Sequence, residues 1–190
     1  SPHARRYAAE LHADGFKRFP LRTPADARRL LANYYGLVTL VDRAVGRILA
    51  ALDAAGQADN TLVVFTSDHG EQVGDHALVQ KGTFYEQSTR IPLMLRAPWL
   101  SRQQVMVDGP VSLVDLVPTV LDLMQVDRPA HLQGSSLTTA MQHPARPTRD
   151  VVIEWNDAKH PDEDGRSVVS ADGWKLNRYR SGHVELYDLN

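Results

Sequence analysis

The run Ser67-Asp68-His69-Gly70-Glu71-Gln72-Val73-Gly74-Asp75-His76 sets a carboxylate beside an imidazole where the apolar segment Thr61-Leu62-Val63-Val64-Phe65-Thr66 stops. A short β-branched run ending in Asp, His and Gly reads as a strand delivering ligands to a sheet edge, where open α/β sheets bind their substrates. The chemistry expected there is metal-dependent hydrolysis. Consecutive residues of an extended strand point to opposite faces, so Asp68 and His69 reach one ion only where the backbone leaves the strand. Gly70 is expected to permit that turn, since glycine alone enters the left-handed and related regions without steric cost. A carboxylate oxygen suits calcium or magnesium, and an imidazole nitrogen widens the choice to manganese or zinc. Two side chains cannot hold a catalytic metal alone. Of eight histidines in the chain, the six outside this motif form no second cluster with metal-ligand spacing. The competing reading is an ordinary polar turn, Asp68 capping backbone amides and His69 solvated, since Asp and Gly are common turn residues.

The continuation decides between them. After Asp75-His76 come Lys81-Gly82, Tyr85-Glu86 and Arg90-Ile91-Pro92-Leu93. In order and spacing this closely resembles the sulfatase family of the alkaline phosphatase superfamily, whose members carry a strand, then Ser-Asp-His/Asn-Gly, Gly-Asp/Glu-His, Lys-Gly and Arg-Ile/Val-Pro-Leu. Agreement at four spaced elements over about thirty residues is far more specific than a lone Asp-His-Gly. The resemblance implies that Asp68 and His69 are metal ligands and that Lys81 contacts the sulfate oxygens, where a flexible ammonium can stabilise charge developing as the ester bond breaks. Without the resemblance Lys81 reads as a solvated loop lysine. His76 is a candidate for orienting the loop or contacting substrate, and Arg90 reads as structural. Pro2-His3 matches a Pro-His pair of the family, which implies that His3 donates a proton to the leaving oxygen. The following Ala4-Arg5-Arg6-Tyr7 lacks the prolines usual there, and the alternative is an inert histidine at a loose terminus.

Other family features have no counterpart. The family's nucleophile is a cysteine or serine converted to formylglycine within Cys/Ser-X-Pro-X-Arg. This chain has no cysteine and no Ser-X-Pro-X-Arg, nor the early Asp-Asp pair that supplies further metal carboxylates. The expectation is therefore the C-terminal portion of a sulfatase, a fragment inactive alone, with formylglycine in the N-terminal part. The resemblance implies a divalent cation, Ca2+ first with Mg2+ or Mn2+ as alternatives, and a small-molecule or saccharide sulfate ester as substrate. The alternatives kept open are a phosphonate monoester or phosphodiester hydrolase of the same superfamily and a non-catalytic binding or assembly module.

Composition is that of a globular chain, 43% hydrophobic and 23% charged over 190 residues, with a formal net charge of −2. No broad basic field suggests nucleic acid as a partner, although Arg5, Arg6, Arg28 and Arg29 make the start locally positive. No run of about 18 apolar residues suggests a membrane span. Association into an oligomer is compatible with the sequence, and the compartment is left open by the absence of cysteine.

The elements that must position these residues follow from periodicity. Thr23-Pro24 reads as a helix start, and Leu30, Tyr34, Leu37, Val38, Val41, Val45, Ile48, Leu49 and Leu52 recur at helical steps up to a stop at Gly56. Gly36 and Gly46 either interrupt this helix or mark close packing on a sheet. Leu93-Met94-Leu95 lacks alternation and reads as a strand covered on both faces. Residues 111–124 read as a helix in which Pro118 either falls in the first turn or starts the helix proper. Residues 126–149 read as a surface connector. Four short strands then suggest a small antiparallel sheet. The fold class expected is α/β, part of an alkaline-phosphatase-like α/β sandwich with a small C-terminal antiparallel sheet subdomain. Its divisions are 1–125, the C-terminal part of the α/β domain, 126–149, the connector, and 150–190, the β subdomain.

Overall fold

The computed structural model describes residues 4–5, 23–144 and 149–190. These fall into two units, 1–98 and 99–190.

The first unit opens with helix α1, Pro24–Ala54. Its start is a reciprocal capping box: the Asp26 amide donates to Thr23 Oγ1 at 3.2 Å while the Thr23 amide donates to Asp26 Oδ2 at 2.9 Å. The chain leaves the helix at Ala55, and Gly56 takes a φ of +66°. The helix runs unbroken through Gly36 and Gly46, and a Cβ built at either glycine would meet nothing within 4 Å. Neither alternative for those glycines is realised. No residue of α1 is buried.

Strand β1, Val63–Thr66, pairs antiparallel with β2, Leu93–Arg96, in the register Val63↔Arg96 to Thr66↔Leu93. Between them lies a one-turn helix, α2, Glu86–Thr89. The expectation that β2 is covered on both faces is corrected here. Met94 is 58% exposed, so the strand alternates despite its unbroken apolar sequence.

In the second unit Ser112 and Asp115 form another capping box ahead of α3, Leu116–Leu123, with Pro118 in the first turn, where its missing amide is no loss. The connector is pinned to this helix. The Leu137 amide donates to Thr119 Oγ1 at 2.9 Å and the Ser135 amide to Asp115 Oδ1 at 2.9 Å, and a short helix, α4, spans Thr138–Gln142. Strands β3 (Val151–Trp155), β4 (Gly165–Val169), β5 (Trp174–Tyr179) and β6 (Val184–Asp188) then form an antiparallel meander in chain order.

That sheet inverts the usual pattern. Ser167, Lys175 and Asn177 are at most 1% exposed, while Val152, Leu176 and Leu186 face outward. The register Val152↔Val168↔Leu176↔Leu186 makes those outward residues one cross-strand row.

Candidate active site

The site is built where β1 ends. Thr66 is held by β2 through its hydroxyl, which donates to the Pro92 carbonyl at 2.9 Å. One residue later Ser67 Oγ donates to the His69 carbonyl at 2.7 Å, and the His69 amide donates to Asp68 Oδ1 at 3.0 Å. These local bonds bend the chain and bring two successive side chains to one side.

Gly70 makes the bend possible for a reason the sequence did not show. Its φ is not left-handed; instead a Cβ there would lie 1.9 Å from the Gln87 carbonyl oxygen, because the Gly70 amide donates to Ser88 O at 2.8 Å. The loop end is clamped against α2, and only glycine lets the two backbones approach so closely.

From Glu71 to Thr83 the chain folds back on itself. Glu71 Oε1 accepts from the Gln80 amide, the Gln72 amide donates to Gln80 O at 2.9 Å, and buried Gln72 donates through Nε2 to Thr83 Oγ1 at 2.6 Å. Leu78, fully buried, and Phe84, 3% exposed, give this excursion a small apolar floor. Val73, His76, Ala77 and Gln80 all have positive φ, a concentration of strained backbone typical of segments whose shape serves a site. Its effect is to return Lys81 to His69.

Lys81 Nζ lies 2.5 Å from His69 Nε2, and Asp68 Oδ2 lies 3.4 Å from the same nitrogen. His69 Nδ1 faces the Gly70 carbonyl at 2.8 Å. A carbonyl only accepts, so Nδ1 carries the proton and Nε2 presents its lone pair to the shared space, the tautomer a metal-ligating imidazole needs. Desolvation pushes the Asp68 carboxyl up, but the backbone amides of His69 and Asp68 and the Lys81 ammonium are among the groups that outweigh it and hold it below its ordinary value. The carboxylate is 83% exposed. An anionic oxygen and a nitrogen lone pair thus converge where a cationic group already sits, a donor set that fits a divalent cation.

Two candidate donors, Asp68 and His69, are what this loop brings together. Among the described residues no group of three or more His, Asp or Glu is arranged to hold a metal. His76 stacks on Tyr85 with ring centroids 4.0 Å apart and lies outside the Asp68, His69 and Lys81 cluster. Arg90 is exposed at the end of α2, where its amide caps Glu86 O at 2.8 Å. His3 lies outside the described residues. Sequence reasoning missed Glu71 and Gln72 as organisers of the loop; their adjacency to the Asp-His-Gly motif was the available signal.

A strand ending in an adjacent carboxylate and imidazole, with a lysine returned to them by a strained loop, is the arrangement expected of the alkaline phosphatase superfamily. A profile of the sulfatase family matches residues 1–126, and one described as N-sulphoglucosamine sulphohydrolase, C-terminal, matches residues 74–190. The chain belongs to the sulfatase family. It is 41% identical over 161 residues to the uncharacterized sulfatase YidJ of Escherichia coli K12, covering 82% of this chain and 31% of that protein. It is 35% identical over 123 residues to an ulvan-active sulfatase of Formosa agariphila, covering 63% of this chain and 24% of the relative. Among solved structures it is similar to a phosphonate monoester hydrolase from Silicibacter pomeroyi (TM-score 0.81, 28% identity, 98% of this chain and 40% of that one). It is also similar to a protein captured with its substrate D-glucosamine-2-N,6-O-disulfate (TM-score 0.73, 27% identity, 98% and 39%). The chain therefore spans about a third of the length of the curated relatives it matches. These neighbours share the alkaline-phosphatase-like fold expected from the sequence.

Proposed function

We propose that these residues form part of a sulfuric ester hydrolase acting on a sulfated saccharide or small sulfate ester. The carrying observation is the convergence of Asp68, His69 Nε2 and Lys81 Nζ at the end of β1. Asp68 and His69 would hold a divalent cation, calcium by preference, which when bound neutralises charge on the sulfate oxygens. The Ser67 to Gly70 hydrogen bonds fix the His69 tautomer and hold Asp68 ionised, so the ligand pair needs little reorganisation. Lys81, released from His69 Nε2 by substrate or metal, donates to a sulfate oxygen and stabilises charge that grows as the ester bond breaks. A saccharide substrate is supported by the relative active on ulvan and by the neighbour bound to a glucosamine disulfate.

Within these 190 residues no cysteine and no Ser-X-Pro-X-Arg is available to become the nucleophile. The reading therefore assigns the formylglycine, further metal ligands and turnover to the intact enzyme. A second reading, phosphonate monoester hydrolysis, is supported by the likeness to the Silicibacter enzyme, because a tetrahedral phosphonate presents similar oxygens to the same groups. Profiling the intact protein against an aryl sulfate and an aryl phosphonate monoester, with mass spectrometry for formylglycine, tests both. Preference for the phosphonate would overturn the first reading.

A further inference from the structure

The second unit carries a cluster of charge that the hydrolase site does not use. Residues 150–190 hold nine carboxylates against five lysines and arginines, a formal charge of −4. Yet three of those five cations, Arg166, Arg178 and Arg180, line one cleft of about 300 Å3 together with Asn156, Asp164, Gly165 and Tyr179. The grouping is set by the sheet. Arg166 on β4 and Arg178 on β5 are direct cross-strand partners, an arrangement of like charges that weakens a ladder unless something else compensates it. Arg178 and Arg180 lie two residues apart in the same outward alternation, both exposed.

The three differ in how they are occupied. Arg166 is fixed, its Nε 2.7 Å from Glu154 Oε1 and its Nη1 donating to Asn156 Oδ1 at 3.1 Å and to the Gly165 carbonyl at 2.9 Å. Arg180 reaches Asp164 only loosely, at 3.9 Å, while its amide donates to the Asp164 carbonyl at 2.7 Å and so ties the cleft wall to β5. Arg178 has no carboxylate within 4.0 Å among the described residues. A braced guanidinium, a loosely paired one and an unpaired one therefore face a space lined by a single carboxylate.

We propose that this cleft is a second anion site that takes a sulfate or carboxylate group of an acidic oligosaccharide, apart from the ester being cleaved. Guanidinium forks match planar and tetrahedral oxyanions with paired hydrogen bonds. Arg178, near the end of β5, and Arg180, in the turn just past it, are separate guanidinium groups that can each take an oxyanion on one sugar or its neighbour. Val184, opposite Arg178 in the ladder and 52% exposed, and Trp174, on the same outward face of β5, offer apolar surface for the C–H faces of a pyranose. A nucleic acid is disfavoured, because backbone tracking requires a longer basic stripe than three arginines in an acidic subdomain.

The proposal extends the sulfated-saccharide reading but is tested by binding alone, so loss of hydrolysis does not affect it. A heparin-derived hexasaccharide is titrated calorimetrically into the protein in chelator, with inorganic sulfate and a single-stranded oligonucleotide of equal charge as parallel probes. The double substitution Arg178→Gln and Arg180→Gln is expected to weaken hexasaccharide binding at least tenfold. Arg43→Gln on α1 is expected to leave it within twofold, and inorganic sulfate to bind far more weakly. Arg178→Lys, which keeps the charge and loses the fork, is expected to fall between, with unchanged circular dichroism confirming folding. Equal binding by the double variant, or equal loss with Arg43→Gln, overturns the site. Equally tight and equally Arg178-dependent binding of the oligonucleotide overturns the saccharide assignment.

Discussion

At the scale of single residues, the site depends on groups that act on unlike steps. Asp68 is an exposed carboxylate held ionised by its neighbours, and the proposed function makes it a metal ligand; Lys81, against His69 Nε2, is proposed to bind sulfate instead. In the intact enzyme Asp68→Ala is expected to lower metal occupancy and activity together, by plasma emission analysis and rate. Lys81→Ala is expected to keep the metal and lower kcat by about 10²–10³, the scale seen when one transition-state donor is lost. Unchanged metal content in the Asp68 variant would exclude the ligand role. Gly70 is the residue whose importance is purely steric. With a carbonyl oxygen 1.9 Å from the position of its Cβ, Gly70→Ala must push the loop off α2, at a cost of about 1–3 kcal/mol in stability and with His69 displaced. A thermal melt of the variant unchanged within a degree would show that the clamp is not rigid. The Asp-His-Gly and Lys-Gly motifs were legible because the chemistry proposed for them demands particular side chains. The role of Gly70 was not, since close approach depends on residues 17 and 18 positions further on.

At the scale of elements, hydrogen bonds rather than apolar burial fix the connector to α3. Buried Asp115 accepts from the amides of Ser112 and Ser135 and from Arg149 Nη2, joining a cap, a loop and the approach to β3. Asp115→Ala leaves three donors without their acceptor, and chemical denaturation is expected to show a loss of about 3 kcal/mol or more. Acid should act on two carboxylates of this unit. Hydrogen bonds from Ser136 and Thr138 hold Asp122 below its ordinary 3.8, and the Lys159 amide, opposed by desolvation and aided by His160, does the same for Asp157. Depressed carboxyl values in the folded state mean that this stabilisation is complete above pH 3.8 to 5 and is lost as pH falls through the lower folded values. A melting temperature that stays level from pH 6 to 5 and drops below 4, less steeply in Asp122→Asn, is the expected pattern. Helix α1, its two caps and the four strands were readable from periodicity, because capping and turn chemistry are local. The face that β2 and the C-terminal strands bury was not. Met94 sits outward in an apolar run, and Lys175 and Asn177 sit inward beside outward Trp174 and Leu176.

At the scale of the whole molecule, apolar surface is the dominant feature. Leu37, Val38, Leu40, Val41 and Ile48 of α1 and the Val152, Leu176, Leu186 row of the C-terminal sheet are exposed, far more than scattered surface residues require. No described helix is long and apolar enough to cross a membrane. The 190-residue chain by itself is expected to bind a hydrophobic dye and to self-associate in light scattering, and to show no aryl sulfate turnover with calcium supplied. Turnover comparable with complete family members would refute the assignment of the nucleophile to other residues. By itself the sequence determined the family and the helix and strand order, and it supplied the residue types proposed to meet an ion and an anion, because each follows from local spacing or from chemistry that few side chains can perform. Only the tertiary structure decided that Gly70 serves a close approach and that the sheet turns polar residues inward. It alone brought Arg166, Arg178 and Arg180 to one cleft, since register between strands, not distance along the chain, chooses which side chains become neighbours.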